Sequence, residues 1–355
     1  MSKLRKKVAV AMSGGVDSSV SALLLQKKGY DVFGIFMRLG LPQNNAEDAA
    51  RLVCAKLGIK FFPINIADKF EEVIDYYLEA YQSGITPNPC IKCNQKIKFG
   101  ELLRRARELG ADYLATGHYI KLRPGLTFLN FNFSRFKLFR GIDPSKDQSY
   151  FLYNLNQEIL NHIIFPIGDY LKSDVKKIAE KNNLPNIKSE SQDVCFLPGE
   201  HNDFLKNKIK LISGDIVDIA GKILGKHQGL PLYTIGQRKG IEIGGAGPYY
   251  VANLDYQSNV LTVTKDANDP ILFKDRLIAK DVNWIAGTEP KFPFRCQAVF
   301  RYRHNPVDCK ISKKKNINNT NELEVQFLEP QRAITSGQSV VFYSKKELLG
   351  GGVIV

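Results

Sequence analysis

The chain has no apolar run approaching the roughly 20 residues that cross a bilayer as a helix. Its N-terminus, MSKLRKKVAVAMSGG, starts basic, but the apolar stretch stops at Ser13 and lacks the small-residue cleavage site of a secretory signal. No membrane association and a cytoplasmic location are therefore expected. No repeat or low-complexity tract stands out. Six cysteines occur: Cys54, Cys90, Cys93, Cys195, Cys296 and Cys309. In a cytosolic chain of this size they are not expected to form a disulfide framework. Only Cys90 and Cys93 are closely spaced, in TPNPCIKCNQKIKFG, and no second C-x-x-C or paired histidines complete a structural zinc site around them. The pair reads instead as reactive thiols or as ligands of another group.

Against those absences stands a surplus of positive charge, +14. Such a balance suits a polyanionic partner, nucleic acid first. A length of 355 residues implies two or three domains. The first half alternates strand-like runs at 6–12, 31–37, 59–65 and 111–116 with helical patterns at 46–58, 99–110 and 173–184, the last opened by Ser173 as a cap. This order implies a parallel sheet with helices on both faces. From about 211 onward, short β runs alternate with Gly and Asn turns. The Phe/Arg-rich stretch 126–141 reads as an amphipathic hairpin, and 310–322 as an exposed loop tip.

Ser13-Gly14-Gly15-Val16-Asp17-Ser18 follows the first strand and opens a helix. Glycines let several backbone N–H groups converge, and a helix N-terminus adds positive potential, so the loop is suited to an anion. No lysine follows the glycines, which excludes a Walker loop. The pattern resembles SGGxDS, the pyrophosphate loop of ATP pyrophosphatases, which activate a carbonyl oxygen with AMP. Of the thiols, Cys93 precedes Asn94, Lys96 and Lys98, a setting expected to favour thiolate. Cys54 lies on the apolar side of a helix, and Cys296 and Cys309 in β segments have no evident chemistry.

The stretches AMSGGVDSSVSALLL, TPNPCIKCNQKIKF, ATGHY, KDQSYFLY, SQDVCF, GKHQGLPLYTIGQRKGIEIGG, FRYRH and QRAITSGQSVVFY together resemble the bacterial tRNA-specific 2-thiouridylases, from residue 9 almost to the C-terminus. The resemblance implies a parallel-sheet ATP pyrophosphatase domain at 1–205, a small central β domain at 206–274 and a tRNA-contacting C-terminal β-barrel at 275–355. It implies a reaction in which ATP adenylates C2 of the wobble uridine of tRNA for Lys, Glu and Gln, and sulfur displaces AMP. Catalytic roles fall on Cys195, as carrier of a persulfide from a sulfur-relay donor protein, and on Cys93. Ala11, Met12, Ser13, Gly14, Gly15, Val16, Asp17, Ser18, Met37 and Gly117 would hold ATP, with Mg²⁺ near Asp17. Asn88, Pro89, Cys90, His118, Lys146, Asp147, Gln148, Arg301, Tyr302 and Gln338 would contact tRNA, and the protein is expected to be a monomer.

One position departs from the family pattern: Cys90 stands where many relatives carry Asp. Cys90, Cys93 and Cys195 could then hold a [4Fe–4S] cluster with one open iron for sulfide, in place of persulfide chemistry. Bland readings stand beside these: His118 as a core histidine, Arg301 and Arg303 as a solvated strand face. More distant alternatives are an amidating ligase, for which no glutaminase domain is present, and a non-catalytic tRNA-binding protein.

Overall fold

The computed structural model describes residues 5–41, 45–125, 136–185, 196–197, 200–241, 243–244, 247–314 and 322–355. Five strands, β1 (Lys7–Ala11), β2 (Asp31–Arg38), β3 (Phe61–Asn65), β4 (Tyr113–Ala115) and β7 (Ile163–Ile164), form a sheet of order β3-β2-β1-β4-β7. Every pairing in it is parallel. Strand β1 is apolar from Val8 onward because both faces are covered there. Val8 and Val10 enter a cluster with Ala22 and Leu25 of α1 (Val16–Lys27) and Val53 and Cys54 of α2 (Ala46–Leu57). Ala9 faces the other side, with Phe99, Leu102 and Ala106. Cys54 is therefore packing, and burial pushes its thiol up to about 11. Helix α3 (Ala67–Gln82) follows β3.

The C-x-x-C segment is helical. Pro89 opens α4 (Pro89–Cys93) at a position where a missing N–H costs nothing. The chain then winds as a π-helix over Asn94–Leu102 and returns to α-helix in α5 (Leu103–Glu108). A helix starting at Phe99 was the expectation from sequence; it begins ten residues earlier because Pro89 and the buried residues Ile91, Cys93 and Ile97 extend the apolar face. Such π segments cluster at functional sites.

Strands β5 (Ile120–Pro124) and β6 (Phe136–Arg140) pair antiparallel, so the second arm of the expected 126–141 hairpin is present, while 126–135 lie outside the described residues. After α6 (Gln157–Leu160) and β7 comes α7 (Lys172–Lys181), which starts one residue before Ser173. Its first N–H is capped by Asp143, whose Oδ2 accepts from Lys172 N at 2.9 Å, so the expected serine cap is not used. Helix α8 (His201–Lys208) leads into a four-stranded sheet of order β10-β11-β8-β9, from β8 (Gly214–Asp218), β9 (Ile223–His227), β10 (Tyr250–Asp255) and β11 (Val260–Thr264).

The remaining strands are β12 (Phe273–Trp284), β13 (Phe294–Val299), β14 (Val307–Lys313), β15 (Leu323–Arg332), β16 (Ser339–Ser344) and β17 (Glu347–Ile354). Strand β12 pairs with both β15 and β17, which closes them into a six-stranded barrel. Leu277, Phe300, Ile311, Val325 and Phe342 pack together in its core. Strand β6 pairs onto β17, so a hairpin from the first half of the chain extends the barrel's sheet. Among the described residues, no helix is long and apolar enough to cross a membrane.

Candidate functional site

The glycine loop leaves the C-terminal end of β1, where open parallel sheets bind ligands. Gly14 has φ +77°, and a Cβ there would lie 2.6 Å from the carbonyl oxygen of Ala46. Only glycine fits. The loop is internally tied. Ser13 N–H donates to Ser18 Oγ at 3.2 Å, Ser18 Oγ donates to Gly15 O at 3.0 Å, and Ser19 Oγ donates to the same carbonyl at 2.9 Å. Among the described residues no side chain caps the first turn of α1, and N–H groups at a helix start suit an anion.

Asp17, in that first turn, is the electrostatic centre. Tyr119 Oη donates to Asp17 Oδ1 at 2.7 Å. Lys172 Nζ donates to both carboxylate oxygens, at 2.6 and 2.7 Å. Burial, and secondarily the Asp17 charge, push the Tyr119 phenol far up, so it stays a proton donor. Lys172 supplies the cation that the loop sequence lacks. Gly117, two residues after β4, lies against the loop: a Cβ there would lie 3.0 Å from Asp17 C and Ser18 N. Met37 is half-buried one residue before the end of β2 on the same sheet edge, Ala11 ends β1 and Met12 follows it. Val16 begins α1. The expected ATP residues thus share one edge. Sequence reading missed Lys172 and Tyr119. The only local signal was a basic residue just before the helix at 173–184.

A second cluster surrounds the C-x-x-C helix. Cys93 is buried in an apolar cluster with Phe70, Tyr77, Ile97, Phe196 and Leu197. Lys96 is exposed and Lys98 half-buried on the same segment, and α3 packs against α4. Cys90 is half-buried one turn earlier, and Asn88 precedes the helix. Cys195 lies outside the described residues. Asn94 is 3% exposed and its Nδ2 donates to Phe151 O at 3.1 Å, which fixes the helix to the KDQSYFL segment. The barrel grips the loop before it. Gln338 Nε2 donates to Thr86 O at 3.1 Å and Pro87 O at 3.4 Å, and Thr86 N–H donates to Ser336 O at 3.0 Å. Gly337 approaches so closely that a Cβ would lie 2.0 Å from Ile85 Cγ2. Gln338 therefore positions the TPNP loop.

The other expected contacts divide into tied and outward groups. Gln148 Oε1 accepts from Tyr119 N–H at 3.0 Å, and Gln148 N–H donates to Tyr119 O at 3.1 Å, which ties it to the ATP edge. Asp147 accepts from Gly141 N–H, Ser149 N–H and Ser149 Oγ; burial outweighs these bonds and raises its carboxyl. Lys146 is exposed. On the barrel, Arg301 is exposed and Nη2 donates to Ala333 O at 3.3 Å, while the Tyr302 ring lies 4.4 Å from Phe151. Burial of part of the guanidinium and the neighbouring Arg332 charge lower the Arg301 value. An arginine with a like-charged neighbour is an anion-seeking group. A cavity of ≈ 740 Å³ opens between α3, α4 and the barrel, lined by Tyr76, Asn88, Lys92, Lys96 and Lys280 among others.

His118 is buried between Phe99 and Phe165, and its Nδ1 lies 2.7 Å from Thr116 Oγ1. The histidine is therefore satisfied within the core. Burial first, and then the Lys98 charge, hold its imidazole well below the usual range. A neutral buried histidine stabilises the fold above the ordinary value of about 6.5, and that stability is lost as pH falls below it. Each such histidine contributes a slope of at most about 1.4 kcal/mol per pH unit. His118→Gln is expected to flatten the fall in unfolding free energy between pH 7.5 and 5.5 in urea titrations. An unchanged slope would mean that His118 protonates in the folded state.

Among the described residues, no group of three His, Cys, Asp or Glu is set to hold a metal ion. Of the three thiols expected for a cluster, two share the α4 helix.

Three family models tile the chain: a tRNA methyl transferase HUP domain over 6–199, a tRNA methyl transferase PRC-barrel domain over 202–265 and an aminomethyltransferase beta-barrel domain over 274–354. The tRNA-specific 2-thiouridylase MnmA of Francisella philomiragia subsp. philomiragia is 44% identical over 98% of this chain and 99% of its own length. The protein of the same name from Carboxydothermus hydrogenoformans is 42% identical over 99% of this chain and 98% of its own.

Proposed function

Because the chain belongs to the tRNA-specific 2-thiouridylase family, we propose that it is an ATP-dependent sulfurtransferase that converts uridine to 2-thiouridine in tRNA. The observation that carries this reading is the joining of two sites on one sheet edge. An anion loop centred on Asp17 and Lys172 is linked through Tyr119 and Gln148 to the KDQSYFL segment, which Asn94 ties to the thiol-bearing helix.

Uracil C2 is a poor electrophile because its oxygen leaves poorly. The loop N–H groups, Ser13, Ser18 and Lys172 would bind the ATP phosphates, and Met37 and Gly117 would border the adenosine. Asp17 would hold Mg²⁺, whose charge offsets that of the phosphates. The carboxylate, hydroxyls and helix N-terminus present there fit Mg²⁺-ATP. Attack of the uridine O2 on the α-phosphorus releases pyrophosphate and leaves AMP on that oxygen. The terminal sulfur of a Cys195 persulfide then attacks C2, and AMP departs with the oxygen. Cys93 thiolate next attacks the Cys195 sulfur. This leaves the transferred sulfur on C2 with the bond's electron pair and forms a Cys93–Cys195 disulfide, which a dithiol reductant resets.

The substrate tRNAs for Lys, Glu and Gln, modified at the wobble position, belong to this proposal, as do a sulfur-relay donor protein and a monomeric enzyme. Asn88, Pro89, Cys90, Lys146, Arg301 and Tyr302 would meet the anticodon loop. Gln338 and Asp147 would act by holding the segments on which those residues stand. Incubation with unmodified tRNA-Glu, ATP, Mg²⁺ and a sulfur source should yield 2-thiouridine on nucleoside mass spectrometry. Its absence under both aerobic and anaerobic conditions would sink the reading.

One observation favours a second route. Cys90 places another thiol one helical turn from Cys93. With Cys195 these side chains would hold a [4Fe–4S] cluster, which supplies an open iron for hydrosulfide. Iron and acid-labile sulfide assays on protein purified without oxygen decide between the two. About four iron per chain, lost in Cys90→Ala, supports the cluster. Iron-free protein with full activity from a persulfide donor refutes it.

A further inference from the structure

Two thiols that the reaction does not use meet on the barrel. Strands β13 and β14 pair antiparallel, and the register sets Cys296 directly opposite Cys309. Their Sγ atoms lie 3.7 Å apart. Cys309 is 4% exposed, and Cys296 is half-buried. We propose that Cys296 and Cys309 are a modification site of the barrel, which a peroxide-class oxidant converts to an intramolecular disulfide.

Facing residues of an antiparallel pair hold their Cβ atoms about 4.5–5.5 Å apart. A disulfide needs about 3.5–4.5 Å. Closure therefore asks for side-chain rotation and a shift on the order of an ångström. The half-buried thiol reacts first: Cys296 Sγ attacks hydrogen peroxide, giving a sulfenic acid and one water. Cys309 Sγ then displaces hydroxide from that sulfur, which leaves as a second water with the thiol proton. Two thiols and one peroxide thus become one disulfide and two waters. The hydrogen bond to Cys309, then burial, hold the Cys296 thiol well above its ordinary value. The first step is accordingly slow, and the pair stays reduced under ordinary cytosolic conditions.

The closed ring would enclose 297–308, including Arg301 and Tyr302, the barrel residues placed above at the tRNA. Restricting that loop in the unfolded chain raises the barrel's stability.

Full-length protein is treated with hydrogen peroxide, alkylated in denaturant and digested with trypsin. Cleavage after Arg295, Arg301, Arg303 and Lys310 puts the two cysteines on separate peptides, 296–301 and 304–310. The expected result is a linked pair of these peptides, two hydrogens lighter than their sum, which separates on reduction. The oxidised protein should also unfold several degrees higher, and Cys296→Ser or Cys309→Ser should abolish both effects. Should a serine variant fail to fold, the wild-type peptide map alone decides. Recovery of the peptides unlinked, with Cys296 alkylated or over-oxidised to sulfinic acid, overturns the proposal. So does linkage of either peptide to another cysteine.

Discussion

Asp17→Asn should lower ATP-dependent thiolation by about two orders of magnitude, and Lys172→Ala by about one, under saturating tRNA. Asparagine keeps the shape of the aspartate and its bond from Tyr119, but not the charge. The carboxylate holds Lys172 at 2.6 Å beside a loop with no cation of its own. In the proposed reaction, phosphates entering that loop draw the ammonium, and the carboxylate becomes available to Mg²⁺. Lys172→Ala should therefore act mainly on the KM for ATP, and Asp17→Asn mainly on kcat.

A purely structural role for the pair makes a different forecast. Both side chains are partly exposed, at 24% for Lys172 and 30% for Asp17, so the ion pair contributes little to stability. Thermal midpoints should fall by only a few degrees. Lys172→Arg, which keeps the charge, should recover most of the ATP affinity. The two single losses should not sum in the double variant, because the residues share one interaction. Wild-type kcat in Asp17→Asn at saturating ATP would remove this aspartate from the chemistry.

The contrast between Asp17 and Lys172 shows what the sequence can and cannot disclose. SGGVDS is contiguous, and its glycines just before a helix state their purpose locally. Lys172 reaches the same point from 155 residues away and Tyr119 from 102, so neither spacing nor composition connects them. The same holds for Gln338, whose bond to Thr86 spans 252 residues. The resemblance implies a tRNA contact for this amide, and the fold adds a bond from it to the TPNP loop. Strands β1 and β2 were legible because burial on both faces leaves short apolar runs with abrupt ends, and the half-buried edge strand β3 was legible from its apolar run Phe61-Phe62-Pro63-Ile64. Helix α3 was also legible, from the spacing of Phe70, Val73, Tyr77 and Tyr81, but the sequence reading passed over it. The π-wound segment was not, since an i→i+5 ladder has no side-chain period that separates it from an α-helix over nine residues. Cys296 and Cys309 meet only through strand register, which a one-residue slip would undo.

Cys195→Ser should lower thiolation by about three orders of magnitude or more while tRNA binding stays within about twofold of wild type. A serine hydroxyl neither accepts a persulfide sulfur nor ionises near neutral pH. Cys93→Ser tests the resolving step separately. With Cys93 absent, the Cys195 persulfide still reaches C2, but nothing cleaves the sulfur–sulfur bond. A protein–tRNA adduct joined through that disulfide should accumulate to nearly one per active chain, and dithiothreitol should release it as 2-thiouridylated tRNA. Cys93 is buried among Phe70, Tyr77 and Phe196, where water is scarce, so adventitious cleavage should be slow. The cluster route gives the opposite pattern: no adduct from Cys93→Ser, and loss of iron from either variant. An adduct formed by iron-free protein fixes Cys195 as the donor and Cys93 as the group that releases it. Its absence, with turnover intact in Cys93→Ser, would mean that the sulfur reaches uridine without either bond being made.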